Sequence, residues 1–208
     1  MKDIIMKKFN LTAISAVICL TLTSGGAFAA LGKPPEYKAE KDRIEAKYKE
    51  DKAACKAMTG NAKDICMEEA KGREKVARAE LTNKFEPTAK HAKDVRMEKA
   101  KAAYEVAKEK CDDQTGNAKD VCKKEAKAQY VAAKADANVA KEAADAKADV
   151  KAGGSTAKAK EKVADAKREA AEDKRDAGYA AAKEKCDSMS GDAKDNCIKQ
   201  AKAKFGKA

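Results

Sequence analysis

The sequence contains no tryptophan, a single histidine (His91), three prolines and only 4% aromatic residues among its 208. Beyond residue 29, Ile, Leu, Val and Phe together number 15. That is far below the roughly 20% under which a globular core becomes doubtful. The shortage argues against a compact globule built around a deep pocket. No C-x2-4-C pair and only one histidine are present, so no tetrahedral zinc ligand set presents itself. A C-x-x-C redox motif is missing as well. No glycine-rich phosphate loop, catalytic carboxylate pair or nucleophile triad is discernible, and nothing would raise the pKa of the many carboxylates. These gaps predict a protein that is not an enzyme and that holds no cofactor and no metal.

The first residues predict where the chain goes. Lys2, Lys7 and Lys8 precede an apolar run from Leu11 to Leu22, then Ser24-Gly25-Gly26 and Ala27-Phe28-Ala29. A basic start, a short apolar stretch and an A-x-A site predict a cleavable signal peptide over residues 1–29, too short for a good membrane span. Export to the periplasm, or onward into the medium, is the expectation. Cys19 leaves with the leader, so six cysteines, 43 basic and 34 acidic residues remain, a formal charge of +9. Of the 179 residues left, 43 are alanine. Ala, Lys, Glu and Arg are the strongest helix formers. The expected fold class is therefore all-α: elongated helical hairpins, about six helices by this reading, with a small Ala-rich core and no transmembrane span.

The cysteines recur within a repeat. Cys55 to Cys66, Cys111 to Cys122 and Cys186 to Cys197 each enclose ten residues around [ST]-G-[ND]-A-K-D. An Ala-Lys pair follows each second cysteine (Ala70-Lys71, Ala126-Lys127, Ala201-Lys202), and Tyr48, Tyr104 and Tyr179 each lie seven residues before the first. A degenerate copy runs in register between the first two, with Phe85 and Arg96 at the cysteine positions and Ala92-Lys93-Asp94-Val95 between them. Both cysteines are missing there together, as expected of residues that pair with each other.

Turn chemistry defines the units. Gly60, Gly116 and Gly191 suit the C′ position of an ending helix, because glycine accepts a left-handed backbone without steric cost. Asn61, Asn117 and Asp192 then read as N-caps of the next helix, and Asp64, Asp120 and Asp195 as acids placed favourably for its dipole. Residues eleven apart on one helix are separated by about 16.5 Å, whereas a disulfide needs Cα atoms within about 7 Å. Disulfides Cys55–Cys66, Cys111–Cys122 and Cys186–Cys197 therefore require the reversal that the glycine and cap signals place between them. Each such bond would contribute about 2–3 kcal/mol by loop entropy, a large share for so small a core.

Other breakers complete the organisation. Pro34-Pro35 closes a disordered start over residues 30–35. A hairpin with Cys55 and Cys66 is expected over 36–86, and Pro87 in a first helical turn opens the cysteine-less repeat start that leads into the hairpin with Cys111 and Cys122, over 87–152. Gly153-Gly154 opens an Ala/Lys-rich helix and a short hairpin with Cys186 and Cys197, over 153–208. The stretch 128–182 has almost no large apolar residue and reads as either an extended helix pair or a partly disordered segment; residues 204–208 are expected to fray. His91, which occupies the position of Asn61, reads as a surface residue near an N-cap. The three tyrosines read as packing across the hairpins beside the disulfides, with ligand stacking as the alternative. The lysines are interspersed with acids at helical spacing, which marks a solvated face laced with weak ion pairs; a surface for anionic polymers is the alternative reading.

The leader KKFNLTAISAV, the repeated AKEKCD-x-x-[ST]-G-[ND]-AKD-x-C and the ending Gln200-Ala-Lys-Ala-Lys-Phe205-Gly resemble those of uncharacterised exported, Ala/Lys-rich helical proteins of β-proteobacteria. Such proteins are sometimes named as TolA-like cell-envelope proteins. The likeness to TolA is compositional, resting on a long domain similarly rich in Ala, Lys and Glu. The resemblance implies a location and a shape, and no activity. The expected role is a periplasmic helical scaffold or envelope interaction protein, partnered by an envelope protein or an anionic envelope polymer, with self-association through alanine seams as a further option and no specific nucleic acid. The alternatives are a stress-protective, late-embryogenesis-abundant-like helical protein and a thiol-based metal or redox buffer.

Overall fold

A computed structural model describes residues 34–207; the signal-peptide expectation for residues 1–29 falls outside the described residues. Six helices follow in order: α1 (Pro35–Cys55), α2 (Gly60–Phe85), α3 (Ala89–Cys111), α4 (Gly116–Lys151), α5 (Thr156–Cys186) and α6 (Gly191–Phe205). Among the described residues no strand interrupts them. Among the described residues, each helix packs only on its neighbours in the chain. The connections are short, so successive helices are antiparallel and the six form a single up-and-down row. The all-α hairpin architecture expected from composition is what the chain adopts.

Alanine, glycine and cystine build the core, with Leu81 the one buried large aliphatic side chain among the described residues. Ala70, Ala126 and Ala201, the alanines of the repeated Ala-Lys pairs, are all buried, and the largest fully buried side chains are Cys55, Cys111 and Cys186. The stretch 128–182 is helical apart from the α4–α5 turn, and its order rests on an eleven-residue rhythm. Ala135 and Ala146 on α4, and Ala159, Ala170 and Ala181 on α5, are buried at that interval. Eleven residues make three turns at 3.67 residues per turn, so one line of methyl groups stays against the neighbouring helix along its length. Helices α2 and α3 approach closely at Gly72, where an added Cβ would lie 2.7 Å from the Ala102 Cβ.

The helix ends depart from expectation in instructive ways. Pro35 already belongs to α1, with Pro34 at its N-cap, since proline at a first helical position gives up only an N–H that has no partner there. Pro87 precedes its helix instead of opening it: Thr88 is the N-cap of α3, and its hydroxyl accepts a hydrogen bond from the His91 N–H at 3.0 Å. The C-terminus does not fray at residue 204. Gly206 adopts φ +61°, the Lys207 N–H donates to the Lys202 carbonyl at 2.9 Å, and the Phe205 ring lies where a Gly178 side chain would be. This closure is a Schellman-type stop, reinforced by an ion pair from Lys207 to Asp176.

Gly72→Leu is expected to force α2 and α3 apart and to cost about 1–3 kcal/mol, as overpacking does. Chemical denaturation of the oxidised protein measures it; unchanged stability would show that the helices are not held at this separation.

Candidate functional site

In an up-and-down row the α1–α2, α3–α4 and α5–α6 turns all lie at the same end. Each carries a disulfide: Cys55–Cys66, Cys111–Cys122 and Cys186–Cys197, with Cα separations of 5.6, 5.6 and 5.7 Å. Each bond pins the last residue of one helix to the first two turns of the next. In every pair the first cysteine is wholly buried and the second is half-buried.

The turn glycines take the left-handed backbone expected of them, φ +58° at Gly60, +56° at Gly116 and +54° at Gly191. Their place differs by a few residues. Helices α1, α3 and α5 stop at the cysteine, and the glycine opens the following helix, with Thr59, Thr115 and Ser190 as the extended N-caps. Asn61 and Asn117 are therefore not caps of their own helices, as the turn pattern had suggested. Asp64, Asp120 and Asp195 are fifth in their helices, beyond the first turn, and only Asp192 supplies a first-turn acid at these three starts. The physical reason is that the extended residue before a left-handed glycine already marks the chain's exit from the turn, so the cap falls there.

With no capping duty, the two asparagines reach sideways. The Asn61 Nδ2 donates to the Glu109 carbonyl at the end of α3, at 2.7 Å, and the Asn117 Nδ2 donates to the Glu184 carbonyl at the end of α5, at 3.1 Å. Each of these carbonyls also accepts from the C-cap N–H of its own helix, Asp112 at 2.9 Å and Asp187 at 3.1 Å, so the amide takes the second lone pair and locks one clipped turn to the next. Sequence reasoning missed these joints. Only the donor's position repeats in the sequence, an asparagine one residue after the glycine; the acceptor is a backbone carbonyl, which no side chain marks.

The surface of this end combines ion pairs with exposed methionine. Asp112, next to Cys111, accepts from Lys123 at 2.7 Å and from Lys119 at 3.0 Å, and these contacts hold its carboxyl below the ordinary value. Asp187, next to Cys186, repeats the arrangement with Lys194 at 2.9 Å and is lowered for the same reason. Met58 and Met189, each three residues after its cysteine, are 44% and 45% exposed. His91 lies far from this end, at the α2–α3 turn, where its Nδ1 is 2.7 Å from the Glu86 carbonyl.

The tyrosines divide by repeat. Tyr104 stacks on Tyr130 across the α3–α4 hairpin, centroids 5.1 Å apart. In the third hairpin Phe205 holds the position of Tyr130, beside Gly178 and hence next to Tyr179 in the chain. In the first hairpin that position is Glu74, which pairs with Arg78 at 2.5 Å. Tyr48 is left over an open groove of about 310 Å³ floored by Ile44, Ala70 and Ala77. Among the described residues no group of three or more His, Cys, Asp or Glu side chains gathers to hold a metal ion.

Replacing Asn117 by Asp puts a carboxylate against the Glu184 carbonyl, acceptor against acceptor. A cost of about 1–3 kcal/mol is expected, read as faster hydrogen exchange in the last turn of α5. The lowered pKa of Asp112 carries a further consequence. Its ion pairs stabilise the fold fully above 3.8 and lose that contribution as pH falls through the lower folded value. The melting temperature should therefore drop on acidification, less steeply in Asp112→Asn. Compared with protein-family models, with curated proteins and with solved structures, the chain matches none.

Proposed function

We propose that this protein is a non-enzymatic, disulfide-braced helical scaffold of the periplasm. In this reading it presents one end of its helix row, and the charged flanks behind it, to a cell-envelope protein or an anionic envelope polymer. The observation that carries the reading is the alignment of three intra-hairpin disulfides at one end of a row whose core is otherwise alanine, Gly72 and a single leucine, Leu81. Such bonds persist in oxidising compartments, and in a chain with so little apolar burial they supply order that packing alone does not.

The ion pairs along the row hold their members in the charged form. Glu45, Asp51, Asp112 and Asp187 are lowered, first of all by hydrogen bonds from Arg78, Lys47, Lys123 and Lys194 respectively. Lys47, Lys71, Lys108 and Lys141 are raised, first of all by hydrogen bonds from their side chains to Glu50, Glu68, Glu105 and Asp145. All of these shifts favour the charged form, the opposite of the tuning a general acid or base requires. The exposed methionines Met58 and Met189 supply adaptable apolar contact at the clipped end, and the net positive charge favours anionic surfaces.

The test is made in cells. The full chain, leader included, is produced with a photo-crosslinking residue at Met58 or Met189. It is then fractionated with free thiols blocked, and its disulfides are mapped by peptide mass spectrometry. A periplasmic product with the three intra-hairpin disulfides and one discrete crosslinked envelope component is expected. A cytoplasmic product with free thiols would overturn the reading. So would a periplasmic product without adducts that instead protects an enzyme during drying, which would favour the stress-protective role.

A further inference from the structure

The joint between hairpins is built twice from the same parts and then withheld. At the first two hairpins an asparagine follows the left-handed glycine and donates to the helix beyond: Asn61 to the Glu109 carbonyl, Asn117 to the Glu184 carbonyl. Four residues later on the same helix side stand Ile65 and Val121, both half-buried. The third hairpin carries Asp192 and Asn196 at these two positions, and both are exposed. A carboxylate has no proton to donate to a carbonyl. An amide in place of Ile or Val would be buried without partners if a further helix docked there.

The opposite edge of the row shows the complementary change. Five residues before the first cysteine, α3 and α5 carry Val106, half-buried, and Ala181, 7% exposed. Helix α1 carries Glu50 there, with its side chain 72% exposed and paired to Lys47. The Ala53 carbonyl, two residues before Cys55, is the counterpart of the Glu109 and Glu184 carbonyls. A second copy of the chain offering this edge to α6 would therefore bring the Ala53 carbonyl to Asp192 and Glu50 towards the α6 face.

We infer that α1 and α6 are terminating helices, and that Glu50, Asp192 and Asn196 close both edges of the row to another copy of this chain. Without them the row could grow head to tail by the same joint it uses internally, and such a heterologous contact does not close on itself. Repeat arrays stay soluble when their end units present polar outer faces. Here three side chains do this without altering the disulfides or the turns. The inference does not depend on the function proposed above.

Sedimentation analysis of the oxidised chain beyond residue 29 tests it. The unaltered protein should sediment as a monomer at every concentration. Glu50→Val/Asp192→Asn/Asn196→Val should at least double its average mass as concentration rises, with helix content and all three disulfides unchanged. A wild-type protein that already assembles, crosslinked from Lys199 of one copy to Lys49 of another, would overturn the inference. So would a folded triple variant that stays monomeric. The reverse exchange guards against a variant that fails to fold. Asn61→Asp/Ile65→Asn moves the terminating residues into an internal joint and should speed hydrogen exchange in the last turn of α3; unchanged exchange there counts against the inference.

Discussion

When the facing residues of two helices are alanine or glycine, the helices approach until their backbones nearly touch, and everything else in this protein depends on that approach. It lets a chain with hardly any leucine, isoleucine or phenylalanine pack at all. Its energetic return is small, because each buried methyl removes little surface from water. The seam is also specific about distance, as the contact between Gly72 and Ala102 shows. Close approach at the turns then brings the paired cysteines within bonding reach. The covalent braces stand where the seam begins, at one end of every disulfide-clipped hairpin, and constrain the unfolded chain where packing contributes least.

Charge works around the seam. Arg78 reaches Glu45 at 3.0 Å and Arg73 reaches Asp51 at 3.0 Å between α2 and α1; Lys99 meets Glu80 between α3 and α2 at 2.7 Å. Lys185 meets Glu125 between α5 and α4 at 2.6 Å. Pairs of this exposed kind contribute little each. Between α1 and α2 they also resist slippage, since a one-turn shift would set Lys41 or Lys49 against Arg78 and Lys47 against Arg73. The same interspersed pattern that reads as a solvated face therefore also opposes slippage of α1 along α2.

The disulfide pairing was legible because it rests on local facts: a spacing that one helix cannot bridge, and a glycine that permits reversal. The left-handed conformation of Gly60, Gly116 and Gly191 was legible for the same reason. The caps were assigned two residues too late, because an asparagine or aspartate after a glycine satisfies the N-cap pattern whether or not its side chain turns back to its own helix. The stretch 128–182 looked weak because its apolar residues are small. Its order comes from the eleven-residue alignment of alanines on two helices together, which no single helix displays as a strongly amphipathic face. The ending at Phe205 was misjudged because the chain there docks onto Gly178, a residue distant in sequence.

By itself, then, the sequence determined the helical class, the hairpin units, the positions of reversal and the pairing of the six cysteines. Each of these follows from interactions within about a dozen residues. Only the tertiary structure decided that the hairpins form one row, that Asn61 and Asn117 join one hairpin to the next, and that Asp192 and Asn196 are exposed, with no further helix among the described residues beyond α6. A hydrogen bond such as Asn117 to Glu184 spans 67 residues of chain. Its partner is a carbonyl, a group every residue carries, so no side-chain pattern announces it until the helices are packed.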